Sequence, residues 1–124
     1  MPTIEIPDSE LLDRLSILVV KRTYLKSDAQ LKVVQKDIEY LQKISEQLLL
    51  NASIQDLYTE LLRVNDQMWV AMEHTYQWEG PRNELFEDII LQIIEVNKER
   101  AFIKQKIDNL LGSELREAKS FFES

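Results

Sequence analysis

Leu31-Lys32-Val33-Val34-Gln35-Lys36-Asp37-Ile38-Glu39-Tyr40-Leu41-Gln42-Lys43-Ile44-Ser45-Glu46-Gln47-Leu48 is the stretch on which the fold turns. Positions 31, 34, 38, 41, 45 and 48 hold Leu, Val, Ile, Leu, Ser and Leu, alternating three- and four-residue steps. That spacing draws one stripe along an α-helix, as in a bundle or coiled-coil seam. Lys32, Lys36, Asp37, Glu39, Gln42, Lys43 and Glu46 stand among the intervening positions and read as a solvated face. This segment is structural.

The same logic extends to both sides. Thr3 to Pro7 reads as an extended lead-in, with Ile4 and Ile6 covering one end of a bundle. Asp8 or Ser9 is the expected cap of a first helix reaching Tyr24 or Leu25. Ser27 with Gln30 has capping-box spacing and opens a second helix, predicted to end near Leu50. Ser53 is the next expected cap, with Asp56 in the first turn to favour the helix dipole. That third helix is predicted to run to Trp78, where Gly80-Pro81 stops it. A fourth spans Arg82 to Leu111 and closes at Gly112; Ser113 then caps a short terminal helix through Phe122. The expected fold is an all-α antiparallel bundle of about four long helices plus a short C-terminal one, in one domain over residues 1–124.

The first helix is unusual. Leu11, Leu15, Leu18 and Val19 form one apolar face, and Ile17, Val20 and Tyr24 form another opposite it. A helix apolar on both sides is central in its domain or pressed against a second subunit. With so small a domain, the expectation is a homodimer in which long helices pair.

Composition narrows the chemistry. The 124 residues fit one core, and two glycines and three prolines favour long helices over a many-turned β fold. A net charge of −7 argues against a phosphate-backbone binder and an anionic membrane surface, so neither nucleic acid nor membrane is an expected partner. With no cysteine and His74 the only histidine, thiolate, His-dependent and Cys- or multi-His metal chemistry is disfavoured. Neither a metal nor a cofactor is expected. Met1-Pro2-Thr3-Ile4-Glu5 has no signal-peptide character, and no apolar run approaches the ~20 residues of a membrane span, so a cytoplasmic setting is expected.

The site candidate lies in the fourth helix. At roughly 100° per residue, Asn97, Lys104 and Asp108 share a bearing with Phe86, Ile90, Ile93 and Leu111, and Arg100 stands to one side. Polar groups in a core-facing stripe need partners or a ligand. Arg100 and Lys104 suit a carboxylate or phosphate, one as a planar fork and the other as a point charge. On the third helix, Asn65 sits amid Ile54, Tyr58, Leu61, Met68, Trp69, Met72 and Tyr76, with Glu79 extending the line. Alone, Asn65 reads as a register-fixing polar residue; opposite Asn97, Arg100 and Lys104, it makes a shared pocket. Trp69, Tyr76 and Trp78 are core or interface packing, or the pocket's apolar wall. Glu10 and Asp13 read first as acids favouring the dipole, with Lys21 their ion-pair partner, and only second as metal ligands. Asp108 is expected to pair with Lys104.

Glu10-Leu11-Leu12-Asp13, Val64-Asn65-Asp66-Gln67-Met68-Trp69, Asn97-Lys98-Glu99-Arg100-Ala101-Phe102-Ile103-Lys104 and Gly112-Ser113-Glu114-Leu115-Arg116-Glu117-Ala118-Lys119-Ser120-Phe121 occur in that order. Together they resemble a family of small uncharacterised bacterial and phage proteins, a domain of unknown function with ELxDK, VNxxLW, NDxRAxxK and GSxLxEEKSY motifs. The resemblance covers nearly the whole chain and brings no established activity. It singles out Glu10, Asp13, Lys21, Asn65, Trp69, Glu79, Asn97, Arg100, Lys104, Gly112, Ser113, Glu117, Lys119 and Ser120. Lys98 stands where the pattern has Asp, Met72 where it has an acid, and Tyr76 where it has Arg. A loose likeness to chorismate mutases rests on Asp13-Arg14, Leu18, Val19 and Arg22. One to magnesium-dependent all-α nucleotide pyrophosphohydrolases rests on Glu84 and Glu87 with Glu10 and Asp13, in the wrong order.

The expected function is a pocket of Asn65, Glu79, Asn97, Arg100 and Lys104 for a small anionic, phosphorylated or sugar-derived metabolite. Arg100 and Lys104 would hold the anion, Asn65 and Asn97 orient it, and Glu79 accept a proton. The competing expectation is a non-catalytic homodimeric assembly or adaptor protein in which the same residues fix subunit register.

Overall fold

A computed structural model describes the backbone of residues 6–123 and the side chains of residues 6–112. Helix α1 spans Asp8–Tyr24. Pro7 occupies its N-cap position and supplies no side-chain cap, so neither Asp8 nor Ser9 plays the expected role. Proline's fixed φ suits this entry. Asp8 is already helical, and Ser9 is buried in the first turn. Helix α2 spans Asp28–Ser45, and Ser27 Oγ accepts from the Gln30 amide as its spacing predicts, at 3.4 Å.

Helix α2 ends at Ser45 rather than near Leu50, and a 3-10 turn over Leu48–Leu50 follows. Leu48 and Leu49 of this turn pack against the core clusters. Helix α3, Ala52–Tyr76, is capped by Asn51 instead of Ser53. Asn51 Oδ1 accepts from the Ser53 and Ile54 amides at 2.9 and 3.2 Å, which makes Ser53 a donor in that cap. Beyond Tyr76 the chain turns through Gly80, at a φ of 94° that a side chain would strain. Trp78 Nε1 donates to the Pro81 carbonyl at 3.2 Å and its ring meets Phe86 edge-on, which fixes the turn into the next helix.

Helix α4 runs over Glu84–Glu123. It continues through Gly112 and Ser113, so the expected stop and separate terminal helix are absent among the described residues. A glycine ends a helix by adopting positive φ, and Gly112 does not. Inside a helix it costs only ~0.5–1 kcal/mol.

The four helices meet through α1, which contacts α2, α3 and α4; this central position accounts for its two-sided apolar pattern. One core cluster joins Leu12 of α1 to Ile54, Leu61 and Val64 of α3 and Val96, Ile103 and Ile107 of α4. A second joins Leu15 to Val34 and Ile38 of α2, and Leu49 and Tyr58 touch both. The α4 stripe differs from expectation. Val96, Ile103 and Ile107 are buried, Arg100 and Lys104 half-buried, and Asn97 and Asp108 exposed. At 100° per residue the inward bearing is turned by roughly 60° toward Arg100. The turn leaves Asn97 and Asp108 hydrated while keeping the branched residues inside. Among the described residues there is no strand, and no helix is long and apolar enough to cross a membrane.

Candidate functional site

Ser9, Asp13, Ser16 and Val20 recur at four-, three- and four-residue steps and form the inner ridge of α1. All four are buried. Asp13 faces α3 and α4 across this ridge, where a lone carboxylate would be costly. Arg100 meets it with a side-on fork: Nε donates to Oδ1 at 2.9 Å, and Nη2 donates to Oδ2. Asn65 Nδ2 donates to Asp13 Oδ1 at 3.0 Å and to Ser16 Oγ at 2.7 Å. Ser16 Oγ in turn donates to the Asp13 backbone carbonyl at 2.6 Å. One polar layer thus ties three helices together.

Asp13 is 1 % exposed in its side chain and Arg100 26 %. Burial alone pushes the Asp13 carboxyl up, but hydrogen bonds from Arg100 and Asn65, with the charges of Arg100 and Lys104, hold it below the ordinary value. The bond to Asp13, against the opposing effect of burial, raises Arg100. Lys104 pairs with Glu10, and its Nζ lies 3.9 Å from Asp13 Oδ2. The two cations expected to await a ligand are therefore neutralised by two carboxylates of α1.

A groove of about 330 Å³ opens beside this layer, lined by Ile17 and Val20 of α1, Asn65, Met68, Trp69, Met72, Glu73 and Tyr76 of α3, and Arg100 of α4. Volumes near ~300 Å³ lie at the small end of ligand sites. Tyr24 stacks on Trp69 with ring centres 5.5 Å apart, and its hydroxyl donates to Asp66 Oδ1 at 2.5 Å. That bond to Asp66 raises the Tyr24 phenol. The stack anchors the groove's aromatic wall. Met72 and Tyr76 lie in this lining beside Met68 and Trp69 and give it apolar surface.

The expected five site residues separate into groups. Asn65 and Arg100 come together and line the groove. Asn97 is exposed, touching Arg100 Nη1 at 3.5 Å. Lys104 lies on the Glu10 side of the layer, and Glu79 is exposed in the turn after α3, with no bond to the layer among the described residues. Glu79 leaves the expected line because α3 stops at Tyr76. Trp78 holds that turn and does not line the groove. Asp108 is exposed, and Lys104 turns to Glu10 instead of to it. Lys21 is likewise not the partner of Glu10 or Asp13; α4 supplies both partners.

The enzyme likenesses gain no geometry. Asp13 and Glu10 hold cationic side chains, while Glu84 and Glu87 are exposed in the first turn of α4. Among the described residues no three acidic or histidine side chains gather as metal ligands. Arg22 donates to Gln35 at 2.8 Å, and Arg14 lines a separate hollow with Asp37 and Tyr40, so neither joins Arg100. The side chains of Ser113, Glu117, Lys119 and Ser120 lie outside the described residues.

Asp13 reads from the sequence as a dipole acid or metal ligand and lies outside the expected pocket, yet it is the hub of the layer; Ser16 beside it is not singled out at all. Their signal is the 9-13-16-20 spacing, a seam pattern written in polar letters. No family model, curated protein or solved structure matches this chain.

Proposed function

We propose that this protein, folded as an antiparallel helical bundle, binds a small molecule in the groove between α1, α3 and α4. The ligand places an apolar, ring-bearing body against Met68, Trp69 and Tyr76 and a polar end against Asn65 and Arg100. The observation that carries this reading is that the buried polar layer meets solvent-accessible space where aromatic and thioether side chains surround it. Apolar walls with few convergent polar groups are the usual make-up of a ligand site. The groove fits a ring better than a phosphosugar, because Glu73 lines it and Asp13 already holds Arg100.

A thermal-shift screen over ring-bearing fragments tests this. A true ligand at 100 times its Kd stabilises the chain by ~2.7 kcal/mol. Met72→Arg, at a side chain already 38 % exposed, should remove the response by laying a charged chain across the groove. A folded protein that answers no fragment would sink the reading.

A second reading, homodimeric assembly, is favoured by a separate observation. Leu91, Ile94 and Phe102 are 59 %, 45 % and 56 % exposed and share the side of α4 opposite its buried stripe. A helix with apolar groups on two sides suits a subunit contact. Sedimentation should then show a mass that falls to the monomer in Phe102→Asp. A monomer at all concentrations would remove this reading.

A further inference from the structure

The orientation of Asn65 is fixed by its partners. A carboxylate only accepts, so the end of the amide that faces Asp13 is its nitrogen. Nδ2 commits both hydrogens, one to Asp13 Oδ1 and one to Ser16 Oγ. Asn65 Oδ1 receives no donor from any described residue, although Asn65 is only 6 % exposed and lines the groove. The floor of the groove therefore presents a solvent-facing acceptor that no described protein group occupies.

Arg100 supplies the complement. Its Nε and Nη2 are engaged by Asp13, whereas Nη1 has only the 3.5 Å contact with Asn97. Asn65 Nδ2 and Arg100 Nε meet at the same Asp13 oxygen, at 3.0 and 2.9 Å, and both residues line the groove, so the free ends of the amide and the guanidinium belong to one corner of it. The field beside them is not cationic: Asp13 and Glu10 balance Arg100 and Lys104, and Glu73 adds negative charge.

We infer that the groove selects a neutral donor–acceptor head, a primary carboxamide or lactam edge, on an aromatic body. The amide N–H donates to Asn65 Oδ1, its carbonyl accepts from Arg100 Nη1, and the ring lies along Trp69. A carboxylate satisfies Arg100 but sets oxygen against oxygen at Asn65. A phosphate adds a second negative charge near Glu73. A bare ring leaves both polar groups of the floor unpaired. The inference rests on the ligand-binding reading and narrows it to one head-group class.

Four probes decide it: benzamide, benzoate, phenyl phosphate and toluene, titrated into the 15N-labelled full chain. The readouts are the Trp69 Nε1–H and Asn65 Nδ2–H2 resonances, and Met72→Arg is the blocked control. Benzamide should move both resonances and bind about tenfold more tightly than each of the others, with the response lost in the blocked variant. Equal or tighter binding by benzoate or phenyl phosphate overturns the head-group class and leaves the groove a ligand site. Equal binding by toluene shows that the head is not read and overturns the inference in the same way. Silence from all four overturns both the inference and the ligand-binding reading.

Discussion

Two arginine–carboxylate pairs anchor α4, and adjacent residues make them. Arg100 reaches inward to Asp13 of α1, and Glu99 reaches outward to Arg63 of α3, which also holds Glu60. The outer partners are 43 % and 44 % exposed, the inner carboxylate 1 %. Both arginines are raised by the carboxylates that bond them. The chemistry is the same and the consequences differ. Water already solvates the outer pair, so its removal returns two hydrated ions. Asp13 has no such refuge, and its charge depends wholly on Arg100, Asn65 and Lys104. Burial, not contact distance, decides which pair the fold relies on.

The sharpest way to break that contrast is Arg100→Met. It leaves the buried carboxylate without its fork and should cost ~3–5 kcal/mol, read as a lower urea midpoint. Asp13→Leu/Arg100→Met should regain most of that loss, because the charge that needs a partner is gone. If the double variant is as unstable as the single one, packing of the Arg100 stem outweighs the ion pair.

Acid sharpens the contrast next. The unfolded Asp13 carboxyl titrates near ~3.9. Its folded value is depressed, so its contribution is complete above that pH and is lost as the pH falls through the folded value. The urea midpoint of the native chain should fall from about pH 5 to about pH 3 more steeply than that of the double variant. Parallel profiles would show that other carboxylates govern the acid limb.

Arg63→Ala, the smallest change, should cost only ~0–1 kcal/mol and matter less in high salt. A larger loss would mean that the outer network is worth more than its exposure implies.

Much of this was legible in the sequence. The seam from Leu31 to Leu48 located α2, and Ser27 marked its start, because both are local signals. Asn65 and Arg100 stood out as polar groups near apolar stripes, and they do line one groove. The α4 bearing expected from periodicity lies about 60° from the observed one, because an isolated helix says which residues align, not which way they rotate against neighbours. Lys104 reads as a ligand cation or a partner of Asp108 because its actual partner, Glu10, lies far back in the chain. Asp13 reads as a helix-dipole acid for the same reason: its partners are remote, and no spacing rule connects them.

The distance along the chain has a kinetic meaning. Asp13 lies 52 residues from Asn65 and 87 from Arg100. Helices α3 and α4 are joined by the short turn 77–83, whereas bringing α1 onto both closes a far longer loop. Nearby contacts tend to form before remote ones, so the inner ion pair belongs to the late side of the folding barrier. Its loss should speed unfolding and leave the refolding rate nearly unchanged. The Asp13 latch governs how long the folded chain lasts more than how fast it is made.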